Sequence, residues 1–144
     1  MLSLAAWAHF RQRPPTRRLA LVSLAAFAAS GLAALAIKFM AGRARPALAD
    51  AIWNPMHLSL AGRMDSFPSG HVTTSFALAA VWAGRYPKAA PFCYGGAILV
   101  AMGRVVGGSH FPSDVAAGAA LGLLVGWWLN RRLAPGGQSV SHGS

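Results

Sequence analysis

The chain has 144 residues, of which 55% are hydrophobic and only 11% are charged, whereas about a quarter of the residues of a soluble globular domain are charged. Its formal net charge is +10, from 13 Lys and Arg against 3 Asp and Glu. The composition excludes an ordinary soluble domain, and the single cysteine excludes an internal disulfide and a cysteine-based metal cluster.

The excess of positive charge has three common explanations, namely a nucleic acid, an anionic lipid or a phosphorylated substrate. Here the cations do not form one solvated stripe, because they lie at the edges of apolar runs or inside them. Nucleic acid is therefore the weakest explanation, and we expect no nucleic-acid partner. The expected surroundings are those of a lipid bilayer.

The N-terminal part of the chain contains the first predicted transmembrane helix. Residues 1–18 mix apolar and basic side chains, without the order of a signal peptide, in which charges precede the apolar core. We expect them to form a basic cytoplasmic or interfacial segment. Residues 19–37 carry no charge, and this length can cross a bilayer core of about 30 Å.

The rest of the chain alternates between polar and apolar stretches. Residues 42–68 are polar, and within them residues 48–60 fit a short helix at the membrane surface. Three more apolar stretches predict helices at 70–84, 91–106 and 115–129. A Gly- and Ser-rich tail over 134–144 is expected to be disordered. The sequence thus predicts an all-α integral-membrane bundle of about four transmembrane helices over residues 19–133.

The positive charges predict how this bundle is oriented. They precede the first helix, separate the second from the third and follow the fourth: Arg11, Arg13, Arg17, Arg18, Arg85, Lys88, Arg131 and Arg132. Four helices place these groups on one side, and loops rich in Lys and Arg are normally cytoplasmic. The loops at 42–68 and 107–113 then share the non-cytoplasmic face of the inner membrane, together with Asp50, Asp65 and Asp114.

A histidine and a carboxylate lie together in the last of these loops. His110 and Asp114 are four residues apart, which places them within reach at the start of a helix. A carboxylate on one imidazole nitrogen fixes the tautomer and leaves the other nitrogen free to attack as a nucleophile. Taken alone this spacing is a weak signal, and His110 could equally line a polar loop.

A second polar group, Pro68-Ser69-Gly70-His71, lies at the start of the second helix. Ser69 can cap that helix, and Gly70 lets the backbone N–H groups approach an anion. His71 suits general-acid work on a leaving oxygen. The alternative is an ordinary turn followed by a chance histidine.

The third group is cationic. Lys38 and Arg45 are seven residues apart, two helical turns, so they share a face if the first helix continues. Lys38 alone would be expected to reach the lipid headgroups. Arg104 follows an apolar run, and an ionisable residue within a span is a functional hypothesis by default. Such cations suit phosphoryl transfer, whose transition state carries its charge on three oxygens. No metal or cofactor is needed.

Taken together, the three groups resemble the signature of the type 2 phosphatidic acid phosphatase superfamily, which includes lipid phosphatases and related haloperoxidases. The family pattern is Lys-x6-Arg-Pro, then Pro-Ser-Gly-His, then Ser-Arg-x5-His-x3-Asp. Here it reads KFMAGRARP (38–46), PSGH (68–71) and GRVVGGSHFPSD (103–114), with ten signature positions in order and at the right spacing.

The resemblance implies a helical membrane enzyme that hydrolyses a lipid phosphate without a metal or cofactor. It implies that Lys38, Arg45 and Arg104 bind the phosphate, assisted by Ser69 and Gly70. His71 would be the general acid, and His110 would form a phosphohistidine, oriented by Asp114. The expected substrates are phosphatidic acid, phosphatidylglycerophosphate or undecaprenyl pyrophosphate.

The sequence departs from the family pattern in two ways. Gly103 replaces the usual serine, and integral members typically have six transmembrane helices. A minimal version, a fragment or a homo-oligomer that completes its bundle would each explain the second difference. Two alternatives to hydrolysis stay open, namely a lipid phosphotransferase of the same fold and a non-enzymatic truncated relative. A haloperoxidase is excluded, because that branch is soluble and much larger.

Overall fold

The structure is a computed structural model that describes residues 14–46 and 65–133. Most of these residues form four α-helices: α1 (Pro14–Ala41), α2 (Gly70–Arg85), α3 (Ala90–Val106) and α4 (Pro112–Leu133). A single 3-10 turn, Pro87–Ala89, joins α2 to α3, and no strand occurs in the described ranges. The predicted all-α fold is confirmed. The predicted surface helix at 48–60 and the predicted tail at 134–144 lie outside the described residues.

Three segments in the described ranges are long and apolar enough to cross a membrane: Arg17–Ala41, Pro87–Val106 and Pro112–Leu133. The remaining helix, α2, is shorter, with 16 residues. It occupies the centre of the bundle and packs against each of the other three helices. Large apolar side chains on the outer helices are exposed, which suits contact with lipid. They include Leu24, Phe27, Leu32, Phe92, Leu99, Leu124 and Trp128.

Helices α1 and α4 are several residues longer than the uncharged stretches that predicted them, whereas α3 differs from its predicted range by one residue. The first begins at Pro14 instead of residue 19 and ends at Ala41 instead of residue 37. A basic side chain near a helix end can extend to the headgroups, so a charge does not end a span. Proline also suits the first turn of a helix. Lys38 consequently lies in the last turn of α1.

Helices α2 and α4 approach each other through a row of glycines. Gly118, Gly122 and Gly126 follow one another at every fourth residue of α4, and all three are buried. A Cβ atom at Gly118 would lie 2.8 Å from the carbonyl oxygen of Ser69, and one at Gly126 would lie 2.7 Å from that of Ala77. Small residues at this spacing allow close helix contact. This contact sets the start of α4 beside the start of α2.

We expect Gly122→Ala to destabilise the bundle. The added Cβ would overlap the carbonyl oxygen of Thr73 and lie 3.0 Å from both Ala77 N and Phe76 Cβ. Overpacking of this kind costs about 1–3 kcal/mol, which outweighs the better helix propensity of alanine. SDS-induced unfolding of the micelle-bound protein, followed by circular dichroism, measures the loss.

The matched control is Gly96→Ala in α3, where a Cβ would meet nothing within 4 Å. It should unfold at the same SDS fraction as the unchanged protein or at a slightly higher one. Equal midpoints for the two variants would contradict the close packing of α2 on α4.

Side-chain hydrogen bonds join three helix ends at one end of the bundle. Arg18 Nε donates to the carbonyl oxygen of Leu133 at 3.1 Å, and Trp82 Nε1 donates to Ser23 Oγ at 3.1 Å. The start of α1 therefore lies beside the ends of α2 and α4. Because the helices alternate in direction, the basic groups around Arg18, Arg85 and Arg132 share this end, and the three polar groups share the other.

Candidate active site

The three polar groups meet at the end of the bundle opposite the basic one. Three backbone hydrogen bonds join the segments: Ser66 N donates to Arg43 O at 2.9 Å, Ser69 N to Asp114 O at 3.0 Å, and His110 N to Arg104 O at 3.2 Å. Residues distant in sequence thus form one site. Their relative positions depend on main-chain contacts as well as on helix packing.

Helix α1 does not continue as far as Arg45, so the expected shared helical face is not what brings Lys38 and Arg45 together. Gly42 N closes the last turn on Lys38 O at 3.1 Å, and Gly42 itself has φ 51°. That left-handed conformation favours glycine and commonly ends a helix. Beyond this turn, Arg45 and Lys38 meet around Asp65.

His110 lies in the loop before α4, and its side chain is buried. Its Nδ1 lies 2.8 Å from the carbonyl oxygen of Ser66. Because a carbonyl only accepts, Nδ1 must carry the proton, and Nε2 keeps its lone pair. The sequence predicts Asp114 in this orienting position, but Asp114 Oδ2 is 3.8 Å from Nδ1. The direct partner of the imidazole is therefore the main chain.

Asp114 does not bond the imidazole directly because other donors occupy its carboxylate. The residue is fully buried in the first turn of α4. Its Oδ1 accepts from Arg43 Nη1 at 2.7 Å, while its Oδ2 accepts from Ser66 Oγ at 2.5 Å and from Phe111 N at 2.9 Å. A carboxylate at a helix N-terminus is also favoured by the helix dipole. Asp114 therefore joins the segments of Arg43 and Ser66 to the loop that contains His110 and Phe111.

Burial lowers the pKa of His110 below the usual histidine value. The carbonyl of Ser66 acts in the opposite direction, the positive charges of Lys38 and Arg45 reinforce the lowering, and Asp114 opposes it. An imidazole whose pKa is lowered is uncharged at neutral pH. This is the state in which a histidine nitrogen can act as a nucleophile.

Lys38 and Arg45 surround the carboxylate of Asp65. Arg45 donates from Nε to Oδ1 at 2.9 Å and from Nη2 to Oδ2 at 3.1 Å, and Lys38 Nζ lies 3.8 Å from Oδ2. Burial raises the pKa of Asp65, but the Arg45 hydrogen bonds and the Lys38 charge outweigh it, so the net shift is downward. Two cations therefore converge here on one ionised, bidentate anion. A phosphate group has the same charge sign and acceptor geometry.

The start of α2 lies next to these cations. Ser69 occupies the N-cap position with φ −71° and ψ 107°, but its side chain makes no capping hydrogen bond. Its buried Oγ has no hydrogen-bond partner within the described part of the chain. A Cβ on Gly70 would lie 3.9 Å from Lys38 Cε, so Lys38 crosses the helix N-terminus. This end of α2 thus offers an unused hydroxyl and helix N–H groups to an anion.

His71 and Arg104 lie at the edge of this site. His71 is exposed in the first turn of α2, and the charges of Arg104, Lys38 and Arg45 all reach it. Arg104 is half-buried in the last turn of α3. At the neighbouring Gly103, a Cβ would meet nothing within 4 Å, so glycine is not required there for packing.

The sequence of the chain matches a known family over most of its length. The family model of the PAP2 superfamily matches residues 19–134 of this chain. The chain belongs to the PAP2 superfamily. This confirms the resemblance seen in the three motifs. No solved structure matches the chain significantly.

Several curated proteins are similar in sequence to this chain. Lipid A 1-phosphatase of Rhizobium etli is 40% identical over 101 residues, which are 69% of this chain and 42% of that protein. The corresponding protein of Porphyromonas gingivalis is 37% identical over 73 residues, 46% of this chain and 16% of that protein. Decaprenylphosphoryl-5-phosphoribose phosphatase of Mycobacterium tuberculosis is 40% identical over 120 residues, 78% of this chain and 60% of that protein. The chain spans about two fifths of the length of the Rhizobium etli relative.

In this PAP2 member the structure adds two residues that the sequence motifs did not single out, namely Arg43 and Ser66. Arg43 lies inside the first motif at a variable position, where a third basic residue in KFMAGRARP was the available signal. Ser66 contacts His110 through its main-chain carbonyl. Every residue has this group, so the residue type gives no signal of the contact. From the sequence, Asp65 is expected only as one of three acidic residues on this face.

Proposed function

We propose that this chain is a metal-independent membrane phosphatase that hydrolyses a lipid phosphate through a phosphohistidine on His110. The observation that carries the proposal is the bond from His110 Nδ1 to the Ser66 carbonyl, because it leaves Nε2 unprotonated on an imidazole that the charges of Lys38 and Arg45 reach. A neutral histidine nitrogen next to an anion site is what nucleophilic phosphoryl transfer needs.

In the first step, the lone pair of His110 Nε2 forms a bond to phosphorus while the bond from phosphorus to the lipid oxygen breaks. His71 gives a proton to that leaving oxygen, which departs as a lipid alcohol, or as a lipid phosphate when the substrate is a pyrophosphate. Protonation of His71 is favoured by the bound phosphate anion. Lys38, Arg45 and Arg104 stabilise the charge on the transferring oxygens.

In the second step, water attacks the phosphorus of the phosphohistidine and gives a proton to His71, which now acts as the base. The bond between Nε2 and phosphorus breaks, and inorganic phosphate leaves. His71 ends protonated and His110 ends neutral, so both residues return to their starting states. Ser69 Oγ and the N–H groups at the start of α2 would bind phosphate oxygens throughout.

A membrane lipid is the substrate class that the position of the site supports. The site lies where three apolar helices begin or end, and a bilayer crossed by these helices would have its lipid headgroups at that depth. Relatives named as phosphatases of lipid A and of a decaprenylphosphoryl phosphoribose support the same class. We propose the non-cytoplasmic face of the inner membrane, because the basic residues share the other end. External labelling of a cysteine placed at Lys88 would contradict that orientation.

The proposal predicts phosphate release from at least one lipid phosphate in the presence of excess EDTA. The purified protein in detergent is offered phosphatidic acid, phosphatidylglycerophosphate, undecaprenyl pyrophosphate, lipid A and decaprenylphosphoryl-5-phosphoribose, with His110→Ala in parallel. Activity that disappears with EDTA contradicts the metal-free mechanism. Activity that survives in His110→Ala removes His110 as the nucleophile.

Other outcomes of the panel separate the alternatives. Phosphate that appears on a second lipid instead of in solution would indicate a phosphotransferase. No reaction on any lipid would favour a non-enzymatic relative that acts as an assembly partner. The homo-oligomer stays a prediction, which the mass of the protein in its detergent complex tests.

A further inference from the structure

Arg43 makes three contacts to the start of α4. Its Nη1 donates to Asp114 Oδ1 at 2.7 Å and to Ser113 Oγ at 2.7 Å, and its guanidinium carbon lies 4.3 Å from the ring centroid of Phe111. Arg43 is therefore directed at the helix that follows the nucleophile. Its neighbour Arg45 is directed at Asp65. Two arginines in one short segment thus serve different partners.

These contacts continue to His110. Asp114 Oδ2 accepts the Ser66 hydroxyl at 2.5 Å, and the Ser66 carbonyl accepts from His110 Nδ1 at 2.8 Å. The Ser66 N–H in turn donates to the Arg43 carbonyl at 2.9 Å. The four residues therefore form a closed network in which Ser66 is held from both sides. A displacement of Asp114 would move the carbonyl that sets the tautomer of His110.

The Asp114 carboxylate needs a counter-charge in this position. Its side chain is fully buried, and an uncompensated charge in such surroundings is strongly unfavourable. The Arg43 guanidinium is 2.7 Å away, whereas the imidazole nitrogen is 3.8 Å away. Without Arg43, the carboxylate would turn toward the imidazole of His110, its next nearest basic group at 3.8 Å. That movement would release the Ser66 hydroxyl.

We propose that Arg43 is a positioning residue for the reaction: it fixes Asp114, Asp114 fixes Ser66, and the Ser66 carbonyl orients the imidazole of His110. This inference rests on the proposed function of the site. It assigns Arg43 a role that differs from phosphate binding, although the residue lies between two residues assigned to the phosphate. The difference can be measured.

The test compares Arg43→Gln, Arg43→Lys and Arg45→Gln in the full chain in detergent, with kcat, KM and inhibition by inorganic phosphate as readouts. Arg43→Gln should lower kcat about 10- to 100-fold, because a small misplacement of a reacting group has effects of this size. Its KM and its phosphate inhibition should stay within about twofold, as expected when ground-state binding is intact. Arg45→Gln should instead weaken phosphate inhibition at least about tenfold, an effect expected when a bidentate donor is lost.

Arg43→Lys should have a higher kcat than Arg43→Gln, because lysine keeps a positive charge beside Asp114. Its kcat should stay below that of the unchanged protein, because lysine lacks the planar pair of donors. A purely structural role would lower the unfolding midpoint without this split between kcat and KM. If Arg43→Gln fails to fold, Ser66→Ala breaks the same network at its hydroxyl and should also lower kcat selectively. Loss of phosphate inhibition in Arg43→Gln equal to that in Arg45→Gln would overturn the inference.

A readout that is independent of turnover separates this inference from the proposed function. In protein labelled with 15N-histidine, NMR distinguishes the Nδ1–H tautomer from the Nε2–H tautomer, and His110 should show Nδ1–H. Arg43→Gln should mix the two forms. An unchanged His110 tautomer in Arg43→Gln overturns the inference, whether or not any lipid of the panel is hydrolysed. If the tautomer changes as expected but no lipid of the panel is hydrolysed, only the proposed function is contradicted.

Discussion

His110→Asn should abolish turnover, with kcat lowered at least about 10⁴-fold. Loss of a covalent nucleophile has effects of this size or larger in enzymes that act through one. Asparagine is chosen because its amide N–H can replace the Nδ1 donor toward the Ser66 carbonyl, which is 2.8 Å away. The variant thus keeps the buried hydrogen bond and removes only Nε2, the nitrogen proposed to attack. Phosphate release from the preferred lipid measures the loss.

The matched control is His142→Asn, the same chemical change in the Gly- and Ser-rich stretch at the end of the chain. It should leave kcat unchanged. A rapid quench with lipid labelled in its phosphate adds a direct view of the intermediate. Label that stays on the unchanged protein in alkali, leaves it in acid and is missing from His110→Asn would identify a phosphohistidine. Equal labelling of His110→Asn would place the intermediate on another residue.

The interior of each helix could be predicted from the sequence, and so could the ends of α2 and α3 to within one residue, but the ends of α1 and α4 could not. Apolar runs with at most one charged residue predicted all four helices, because a bilayer permits few charges in its core. Lys38, Asp114 and Arg131 nevertheless lie inside helices. Lysine and arginine side chains are long enough to place their charge outside the core, and Asp114 is stabilised by the helix N-terminus and by Arg43. A window that stops at the first charge is therefore too short.

The residues that meet at the candidate site could be predicted from the sequence, but some of the hydrogen bonds between them could not. The three motifs identified His71, His110, Asp114 and the cations because residue type and spacing are visible in a sequence. The acceptor for His110 is a main-chain carbonyl, which is the same in every residue. The pairing of Arg43 with Asp114 spans 71 residues and depends on how the chain turns at Gly42. Only the folded arrangement shows that Ser66 contacts both Asp114 and His110.

The second large effect is expected at Arg104, whose substitution should lower kcat/KM about 10³-fold. Removing one preorganised donor to a developing oxyanion costs about 10²- to 10³-fold, and arginines that stabilise phosphoryl transfer can contribute more. Glutamine is the better replacement, since it keeps the polarity without the charge. Within the described residues, no hydrogen bond or ion pair holds the Arg104 guanidinium, so Arg104→Gln should leave the fold intact.

The backbone of Arg104 provides a further reason why this substitution is informative. Its carbonyl oxygen accepts from Ser109 N at 3.1 Å and from His110 N at 3.2 Å. Those bonds do not depend on the side chain, so His110 keeps this main-chain contact in Arg104→Gln. A loss of rate can then be attributed to the missing charge and donors. Arg104→Lys should have a kcat/KM between that of Arg104→Gln and that of the unchanged protein, because lysine keeps the charge but only at a single point.

Arg85→Gln is the matched control, since it removes an arginine at the opposite end of the bundle, where the guanidinium carbon lies 5.2 Å from the ring centroid of Tyr86. It should leave kcat/KM within about twofold of the unchanged protein, as is usual for surface substitutions. Orthovanadate, which adopts the five-coordinate geometry of the transferring phosphoryl group, adds a direct comparison. Arg104→Gln should weaken inhibition by vanadate more than inhibition by inorganic phosphate, because a group that acts in the transition state binds its analogue preferentially. Equal weakening would make Arg104 a ground-state phosphate ligand, and no weakening would place it outside the reaction.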